Sequence, residues 1–279
     1  MSTHMIGCTL WSLAIPDTIR SIETAAGMGF EAIQFSFRDD AEISGAALER
    51  IRETIARTGL KVPGGMVGFV GEDYGSIAAI RRTGGLTDPA VFPERLERCR
   101  RWGEAHARLG IRHVTVHVGF VPEPTDPSYS DVLSRIARAA DVFNAAGLTM
   151  GLETGQESGQ VLARVLKDLD RREVSINFDP ANFVLYGSDD PVAAAKALGK
   201  HVSMTHMKDG TPSAKPGEVW GEDVPLGTGA VDFAAVLKTL RKGGFTGALI
   251  VEREAGADRV KDILGAKWYL QGLLAGLGA

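Results

Sequence analysis

Cysteine is scarce in this sequence, which has only Cys8 and Cys99 among its 279 residues. Two scattered cysteines cannot build a disulfide framework or a thiolate zinc site, so the composition fits a reducing cytoplasm. No apolar run reaches the roughly 18 residues that a transmembrane helix needs, and we expect no membrane partner. The first residues carry no basic segment before their short apolar run, so we interpret them as a strand, not a signal peptide.

Basic residues are also in slight deficit. Lysine and arginine number 31 against 35 aspartates and glutamates, which gives a formal net charge of −4 at pH 7. Such a chain lacks the cationic excess that binds a nucleic-acid backbone, so we expect no nucleic-acid partner. The hydrophobic fraction of 44% is ordinary for a globular protein with a large core.

One short pattern recurs along the chain: a helical stretch, a glycine, an apolar residue and then a strand. Glycine just past a helix end supplies the left-handed conformation that closes the helix. The pattern occurs at Gly29, Gly59, Gly110, Gly147 and Gly244. Further strands at 6–11, 174–179 and 202–208 bring the predicted total to eight.

Helices are predicted between these strands. Apolar residues at spacings of three and four mark helices at 16–29, 46–59, 93–110, 130–147, 231–244 and 261–276. Alternation of strands and helices favours parallel pairing with right-handed crossovers, and eight units suit the usual length of a (β/α)₈ barrel. We therefore predict an α/β fold with one (β/α)₈ TIM barrel domain over residues 1–279. A doubly wound open sheet is the alternative, but no GxGxxG motif follows the first strand.

Two stretches, 70–92 and 208–230, are too long to be minimal loops. Each follows the C-terminal end of a predicted strand, which is the face on which a barrel builds its active site. Long loops at that face are usually lids or binding loops. We therefore predict that both cover the C-terminal face of the barrel.

Four consecutive predicted strands end in residues that can bind a metal: Glu153, Asp179, His206 and Glu252. Alternate residues of a barrel strand point inward, and with the register chosen here all four face one rim. Singly, each has an ordinary explanation; an aspartate before a proline, for example, is a typical turn residue. Together they would repel one another unless a cation lay between them. Three carboxylates and one imidazole suit one divalent ion, with Mn²⁺ preferred over Co²⁺, Mg²⁺, Fe²⁺ or Zn²⁺.

The motifs GLETGQESG, INFDPANFVLYG, HMKDG, EVWGEDVPLGTGAVDF and LIVEREAG together resemble the sugar phosphate isomerase/epimerase family of xylose-isomerase-like TIM barrels. The resemblance covers almost the whole chain and implies that the same four residues hold a divalent metal. It also implies that Glu153 and Glu252 act as acid and base, as in ketose 3-epimerases, and that the chain forms a dimer or tetramer. One departure is strand 2, where Gln34 lies near a position at which related sequences often have an acid.

The reaction expected from this set is a proton transfer on a small-molecule sugar. A base removes the proton alpha to a carbonyl, and the metal stabilises the enediolate that forms. Return of the proton from the opposite face gives epimerisation, and transfer between adjacent carbons gives aldose–ketose isomerisation. The main alternative is beta-elimination by a dehydratase or lyase acting on a keto-sugar, keto-glycoside or keto-inositol. An endonuclease IV-like DNA-repair enzyme is a remote alternative, because that chemistry normally uses several zinc ions and many histidines.

Four further residues are candidates for substrate binding. His117 ends strand 4 with inward parity, and its ordinary alternative is a hydrogen-bonded core histidine. Glu157 follows Glu153 by four residues and could reach a hydroxyl, or could simply favour a helix start. Lys208 could bind a substrate oxygen, a phosphate or a neighbouring carboxylate. Trp11 could stack on a sugar ring or close the barrel as an apolar plug.

The segment Gly227-Thr228-Gly229 looks like a phosphate-binding loop. Its ordinary explanation is the turn before a helix that starts at Asp232, and we prefer that explanation. The sequence therefore leaves the phosphorylation state of the substrate open.

Overall fold

A closed barrel of parallel strands forms the centre of the computed structural model, which describes residues 4–278. Its strands are β1 (Ile6–Thr9), β2 (Ala32–Phe35), β3 (Lys61–Met66), β4 (His113–Val116), β5 (Thr149–Glu153), β6 (Val174–Phe178), β7 (Val202–Met207) and β10 (Leu249–Val251). They follow the order β1-β10-β7-β6-β5-β4-β3-β2, with β2 closing on β1. The predicted (β/α)₈ barrel is confirmed, and the open sheet is wrong.

Helices lie between the strands and cover the outside of the barrel. They are α1 (Thr18–Gly27), α2 (Gly45–Thr58), α3 (Ile77–Thr83), α4 (Phe92–Arg108), α5 (Tyr129–Ala145), α6 (Gly159–Leu169), α7 (Pro180–Tyr186), α8 (Pro191–Leu198), α9 (Phe233–Lys242) and α10 (Arg259–Gly276). The five glycines predicted to end helices all have positive φ, from 71° to 94°. Within residues 4–278, no helix has both the length and the apolar character needed to cross a bilayer.

Apolar side chains pack in two separate layers. The larger lies between the strands and the helices, and it includes Phe178 of β6 and Leu152 of β5. The smaller fills the barrel and consists of Ala32, Met204, Ala248 and Ile250. Because side chains alternate along a strand, residues two positions beyond Met204 and Ile250 share their inward face. The inward register predicted for the seventh and eighth strands of the barrel, here β7 and β10, is therefore confirmed.

Both long loops contain regular structure. Helix α3 lies within 70–92, and an antiparallel hairpin of β8 (Asp209–Thr211) and β9 (Glu222–Val224) lies within 208–230. Residues from both loops line the same cavity, among them Tyr74 from the first and Trp220 from the second. The two loops thus share the walls of one cavity.

A buried carboxylate holds the second loop in shape. Asp209 Oδ1 accepts hydrogen bonds from the amides of Gly210 (2.9 Å) and Val231 (3.2 Å). Its Oδ2 accepts from the amides of Gly227 (2.9 Å) and Gly229 (2.8 Å). The segment that looked like a phosphate loop therefore surrounds a carboxylate of the chain itself, and it forms the turn before α9.

We expect Asp209→Ala to loosen the loop at 208–230. The substitution leaves four backbone amides without their charged acceptor, which should lower the free energy of unfolding by more than about 2 kcal/mol. Hydrogen exchange should accelerate across residues 208–230. The control is Asp232→Ala, which removes only the cap that Asp232 Oδ1 provides to the Ala235 amide (2.9 Å). That variant should cost about 1 kcal/mol and leave exchange at Gly227 slow; equal exchange rates in the two variants would contradict the role given to Asp209.

Candidate active site

Four side chains that can bind a metal meet at the C-terminal mouth of the barrel. Glu153 is the last residue of β5, Asp179 follows β6, His206 lies on β7 and Glu252 follows β10. One donor atom from each lies within 4.8 Å of the others, and all four residues are buried. The structure thus brings together the four residues that the sequence predicted as ligands.

Unpartnered polar atoms point to what this cluster can hold. Glu153 Oε1 and His206 Nδ1 are buried and have no hydrogen bond. His206 Nδ1 lies 2.8 Å from Glu153 Oε1 and 3.3 Å from Glu252 Oε2. Lone pairs at such distances repel unless a proton or a cation lies between them. Three carboxylates and an imidazole form a donor set that fits a divalent ion.

Gln34 of β2 determines which nitrogen of His206 faces the cluster. The Gln34 Nε2 donates to the carbonyl of Gly65 at 3.3 Å, so the amide oxygen of Gln34 must face His206 Nε2. An amide oxygen can only accept, so Nε2 carries a proton, and in the neutral imidazole the lone pair is on Nδ1, which faces the cluster. Gln34 was noted in the sequence only as a departure from related chains. Its place near an inward strand end was the signal that could have identified it.

Asn177 of β6 orients Glu153 in a similar way. The two residues are in register on neighbouring strands, and Asn177 Nδ2 donates to Glu153 Oε2. This leaves Glu153 Oε1 to face the cluster. The sequence placed Asn177 on the inward face of its strand, but it did not single the residue out as part of the site.

Asp179 uses its two oxygens for different purposes. Oδ1 accepts from the amides of Ala181 (2.9 Å) and Asn182 (3.2 Å), which caps α7. Oδ2 faces Lys208 Nζ at 2.9 Å and has no hydrogen bond of its own. Burial raises the pKa of Asp179 to about 7, against the opposing charge of Lys208. The turn and metal interpretations of this aspartate are therefore compatible.

Lys208 lies among carboxylates. Its Nζ is 2.8 Å from Glu252 Oε2, 2.9 Å from Asp179 Oδ2 and 3.1 Å from Glu254 Oε2. Burial alone lowers the pKa of Lys208, but the charges of these three carboxylates raise it well above its ordinary value. Lys208 was predicted to bind substrate, a phosphate or a carboxylate. In the structure its charge faces the carboxylates of the chain.

Glu252 is held from two sides. Trp11 Nε1 donates to Glu252 Oε1 at 2.8 Å, and Lys208 contacts Oε2. Burial alone would raise the pKa of Glu252, but the charges of His206 and Lys208 keep it well below its ordinary value. The Trp11 ring also packs edge-on against His206, with centroids 6.1 Å apart. Trp11 thus fixes a cluster residue, in addition to lining the cavity above it.

A cavity of about 1140 Å³ opens above the cluster, and Glu252 and Lys208 form part of its lining. This volume is slightly larger than the roughly 300–1,000 Å³ of most small-molecule pockets. Aromatic rings make up much of its wall, from Trp11, Phe37, Tyr74, Tyr186 and Trp220. Such walls suit a ligand that has apolar faces between its polar groups.

The last two predicted substrate residues differ in position. His117, just after β4, lines the cavity, and its buried Nδ1 has no hydrogen-bond partner. Glu157 does not belong to the cavity lining. Its Oε1 accepts from the Val121 amide at 2.7 Å, and burial raises its pKa to about 7. His117 therefore lies where a substrate in the cavity could contact it. Glu157 does not, and the contact predicted for it would require the chain to move.

Several known proteins are similar to this chain in sequence and fold. The family described as "Xylose isomerase-like TIM barrel" matches residues 22–271. A xylose isomerase domain protein from Planctomyces limnophilus is 30% identical, with a TM-score of 0.88 over 92% of this chain and 93% of that chain. The L-ribulose-5-phosphate 3-epimerase UlaE of Salmonella enteritidis is 22% identical over 276 residues, which is 93% of this chain and 91% of that protein.

A TIM barrel protein from Mycobacterium smegmatis, solved in complex with magnesium, shares the fold with a TM-score of 0.72 at 16% identity, over 99% and 98% of the two chains. Named epimerases among the relatives and structural neighbours support an enzyme of the isomerase/epimerase class. Since the family match runs through the barrel and includes all four residues of the cluster, the chain belongs to the xylose isomerase-like TIM barrel family.

Proposed function

We propose that this protein is a divalent-metal-dependent isomerase/epimerase that acts on a ketose or another keto-sugar. The observation that carries the proposal is the convergence of four donor atoms within 4.8 Å at the base of an open cavity. The epimerase names of relatives such as UlaE support the reaction class. The sequence motifs support the same assignment independently of the cavity.

In this proposal Glu153, Asp179, His206 and Glu252 hold the ion. When bound, a divalent ion polarises a carbonyl and offsets the negative charge that develops as a proton leaves the adjacent carbon. The donor set is mostly carboxylate oxygen, which favours Mn²⁺ or Mg²⁺ over metals that prefer thiolates. The magnesium complex of the Mycobacterium smegmatis protein supports an ion of this kind, and Mn²⁺ remains our preferred candidate.

Glu252 and Glu153 are proposed to move the proton. Glu252 lines the cavity, and a carboxylate is the form in which this side chain can accept a proton from a bound substrate. Glu153 approaches His206 from a different strand and is fixed by Asn177. If the two side chains face opposite sides of one substrate carbon, one removes a proton as a carboxylate and the other, as a carboxylic acid, returns a proton from the opposite side, which inverts that carbon.

His117 and Trp11 are proposed to position the sugar. His117 belongs to the cavity lining, so its imidazole could contact a substrate hydroxyl or carbonyl. Trp11 presents its ring to the cavity while its Nε1 is committed to Glu252. Lys208 is proposed to keep Glu252 charged and in place. We still expect a cytoplasmic protein that forms a dimer or tetramer. Light scattering of the purified protein would test the oligomeric state.

Product analysis tests the reaction class. Metal-loaded protein should be incubated in D₂O with free ketoses and with 3-keto-glycosides, and the products separated. Deuterium in an epimer or aldose supports the proposal, whereas an eliminated aglycone or water would assign the protein to the lyase alternative.

Chelation should abolish the activity and Mn²⁺, Co²⁺ or Mg²⁺ should restore it. Full activity in protein that elemental analysis shows to be free of metal would refute metal dependence.

Asp179→Asn should separate capping from metal binding. Asparagine caps helices about as well as aspartate, so the metal-free protein should keep α7 and its thermal midpoint. The missing charge should weaken metal binding by more than about 100-fold, which calorimetric titration would measure. The control is Asp190→Ala, which removes the cap on α8 (2.8 Å to the Ala193 amide). It should cost about 1 kcal/mol of stability and leave metal affinity unchanged.

Gln34→Leu should weaken metal binding without removing a ligand. Without the acceptor on Nε2, His206 is free to place its proton on Nδ1, and loss of such a partner typically costs about 10- to 100-fold in affinity. Gln34→Glu keeps an acceptor at the same position and should retain the affinity. If the two variants bind metal equally well in the same titration, the orienting role of Gln34 is wrong.

Glu153→Gln and Glu252→Gln should fail in different ways. Each removes one base, and general-base catalysis contributes about 10²- to 10⁴-fold. From one epimer in D₂O, one variant should lose exchange of the alpha hydrogen while the other still exchanges it but forms little product. The opposite epimer should reverse the pattern. Near-native turnover in both metal-loaded variants would exclude them as bases. Equal loss of exchange in both variants, from either epimer, would mean that the two residues act only through the metal or that one base serves both faces.

A further inference from the structure

We propose that the substrate is an uncharged sugar and that the cavity discriminates against sugar phosphates. This inference rests on the proposed function, because it names the substrate class of the same site. It differs from what the name of UlaE, an L-ribulose-5-phosphate 3-epimerase, would suggest. The charges around the cavity carry the argument.

Carboxylates outnumber cations in the cavity lining. Three basic side chains line it, Arg38, Lys208 and Arg253, against five acidic ones, Glu72, Glu222, Asp223, Glu252 and Glu254. A bound divalent ion does not reverse this excess, because Glu153 and Asp179 beneath the cavity add two negative charges of their own. A phosphate dianion would therefore enter a site of its own sign, which costs free energy.

The three basic side chains are already engaged. Lys208 lies among three carboxylates, as described above. Arg253 Nη1 is 2.6 Å from Asp223 Oδ1, and its Nε is 2.9 Å from Asp262 Oδ2. A phosphate would have to displace these charge-assisted hydrogen bonds before it could form its own.

Arg38 is engaged by neutral groups. Its Nε donates to Thr18 Oγ1 at 3.1 Å, and its Nη2 donates to the Ile15 carbonyl and to Ser21 Oγ. These contacts tie the chain after β2 to the start of α1. Each of the three basic residues of the cavity lining therefore already makes hydrogen bonds or ion pairs within the protein.

Two places where backbone amides converge are occupied as well. Phosphates often bind to helix N-termini or to glycine-rich turns, where several amides converge. The glycine-rich turn at 227–229 already binds the carboxylate of Asp209. The first amides of α7 already bind Asp179 Oδ1. In both places a carboxylate of the chain occupies the position that a phosphate would take.

An uncharged sugar fits the same lining. Carboxylates are pure acceptors, and the hydroxyls of a sugar are donors that can satisfy them. The exposed carboxylate of Glu222, at the hairpin, is available for this on the loop side of the cavity. Glu254 contacts Lys208 through Oε2 and can offer its other oxygen. The aromatic walls offer surfaces for the C–H faces of a sugar ring.

The test compares matched pairs of free and phosphorylated sugars. Metal-loaded wild-type protein should be titrated in a calorimeter with L-ribulose and L-ribulose 5-phosphate, and with D-fructose and D-fructose 6-phosphate. We expect the free sugar of at least one pair to bind about tenfold more tightly or better. The preference should shrink as salt is raised, because salt screens the repulsion.

Glu222→Lys tests the origin of the preference. Reversing this charge in the cavity lining should reduce the ratio of free to phosphorylated affinity severalfold. Glu218→Lys is the matched control, since Glu218 is an exposed residue of the same loop that does not belong to the lining. It makes the same change in net charge and should leave the ratio unchanged. A shift of equal size in both variants would contradict the role of the lining.

Equal or tighter binding of the phosphorylated sugar in both pairs would overturn the inference, and so would failure of every sugar to bind. Exchange of the alpha hydrogen in D₂O, measured in parallel, reports separately on the proposed function. A protein that prefers free sugars but exchanges no hydrogen would refute the epimerase proposal and leave the inference standing. A protein that exchanges phosphorylated sugars and binds them more tightly would do the reverse.

Discussion

The crowding of carboxylates at the mouth of the barrel is the constraint on which the rest of the site depends. Glu153, Asp179 and Glu252 are buried within 4.8 Å of one another, where water screens their repulsion poorly. Lys208 offsets part of that charge, and a divalent ion would offset the rest. Two uncharged neighbours, Gln34 and Asn177, orient His206 and Glu153 so that a chosen atom of each faces the centre.

The backbone of the barrel holds these carboxylates close together. Parallel strands bring their C-terminal ends to one rim, so four residues distant in the chain converge there without long loops. Asp179 shows how closely scaffold and site are joined, since one oxygen caps α7 while the other faces the cluster. The rigidity of the strand ends therefore serves the geometry that a metal site requires.

Much of this could be predicted from the sequence, because strand periodicity and helix-ending glycines are local signals. They gave the barrel, the inward register and the four cluster residues. The partnership of Gln34 with His206 spans 172 positions, and no local pattern reports it. Four helices were not predicted: α3, α6, α7 and α8. Three of them have only seven or eight residues, too few to show a clear apolar period. Helix α6 has eleven residues and buried apolar side chains at spacings of three and four, so its pattern was overlooked. Whether Glu157 reaches the cavity depended on the path of the chain after β5, which periodicity does not specify.

The proposed reaction and the proposed substrate selectivity depend on different parts of this fold. The cluster belongs to strand ends, whereas most of the excess negative charge belongs to loops: Glu72 lies in the first long loop, Glu222 and Asp223 lie on the hairpin, and Glu254 follows β10. Glu72 and Asp223 also bind backbone amides that shape these loops. Their charge therefore cannot be exchanged for a phosphate-binding lysine without reshaping the wall. If both proposals hold, this chain combines a proton-transfer site on the strand ends with loops that favour a sugar without charge.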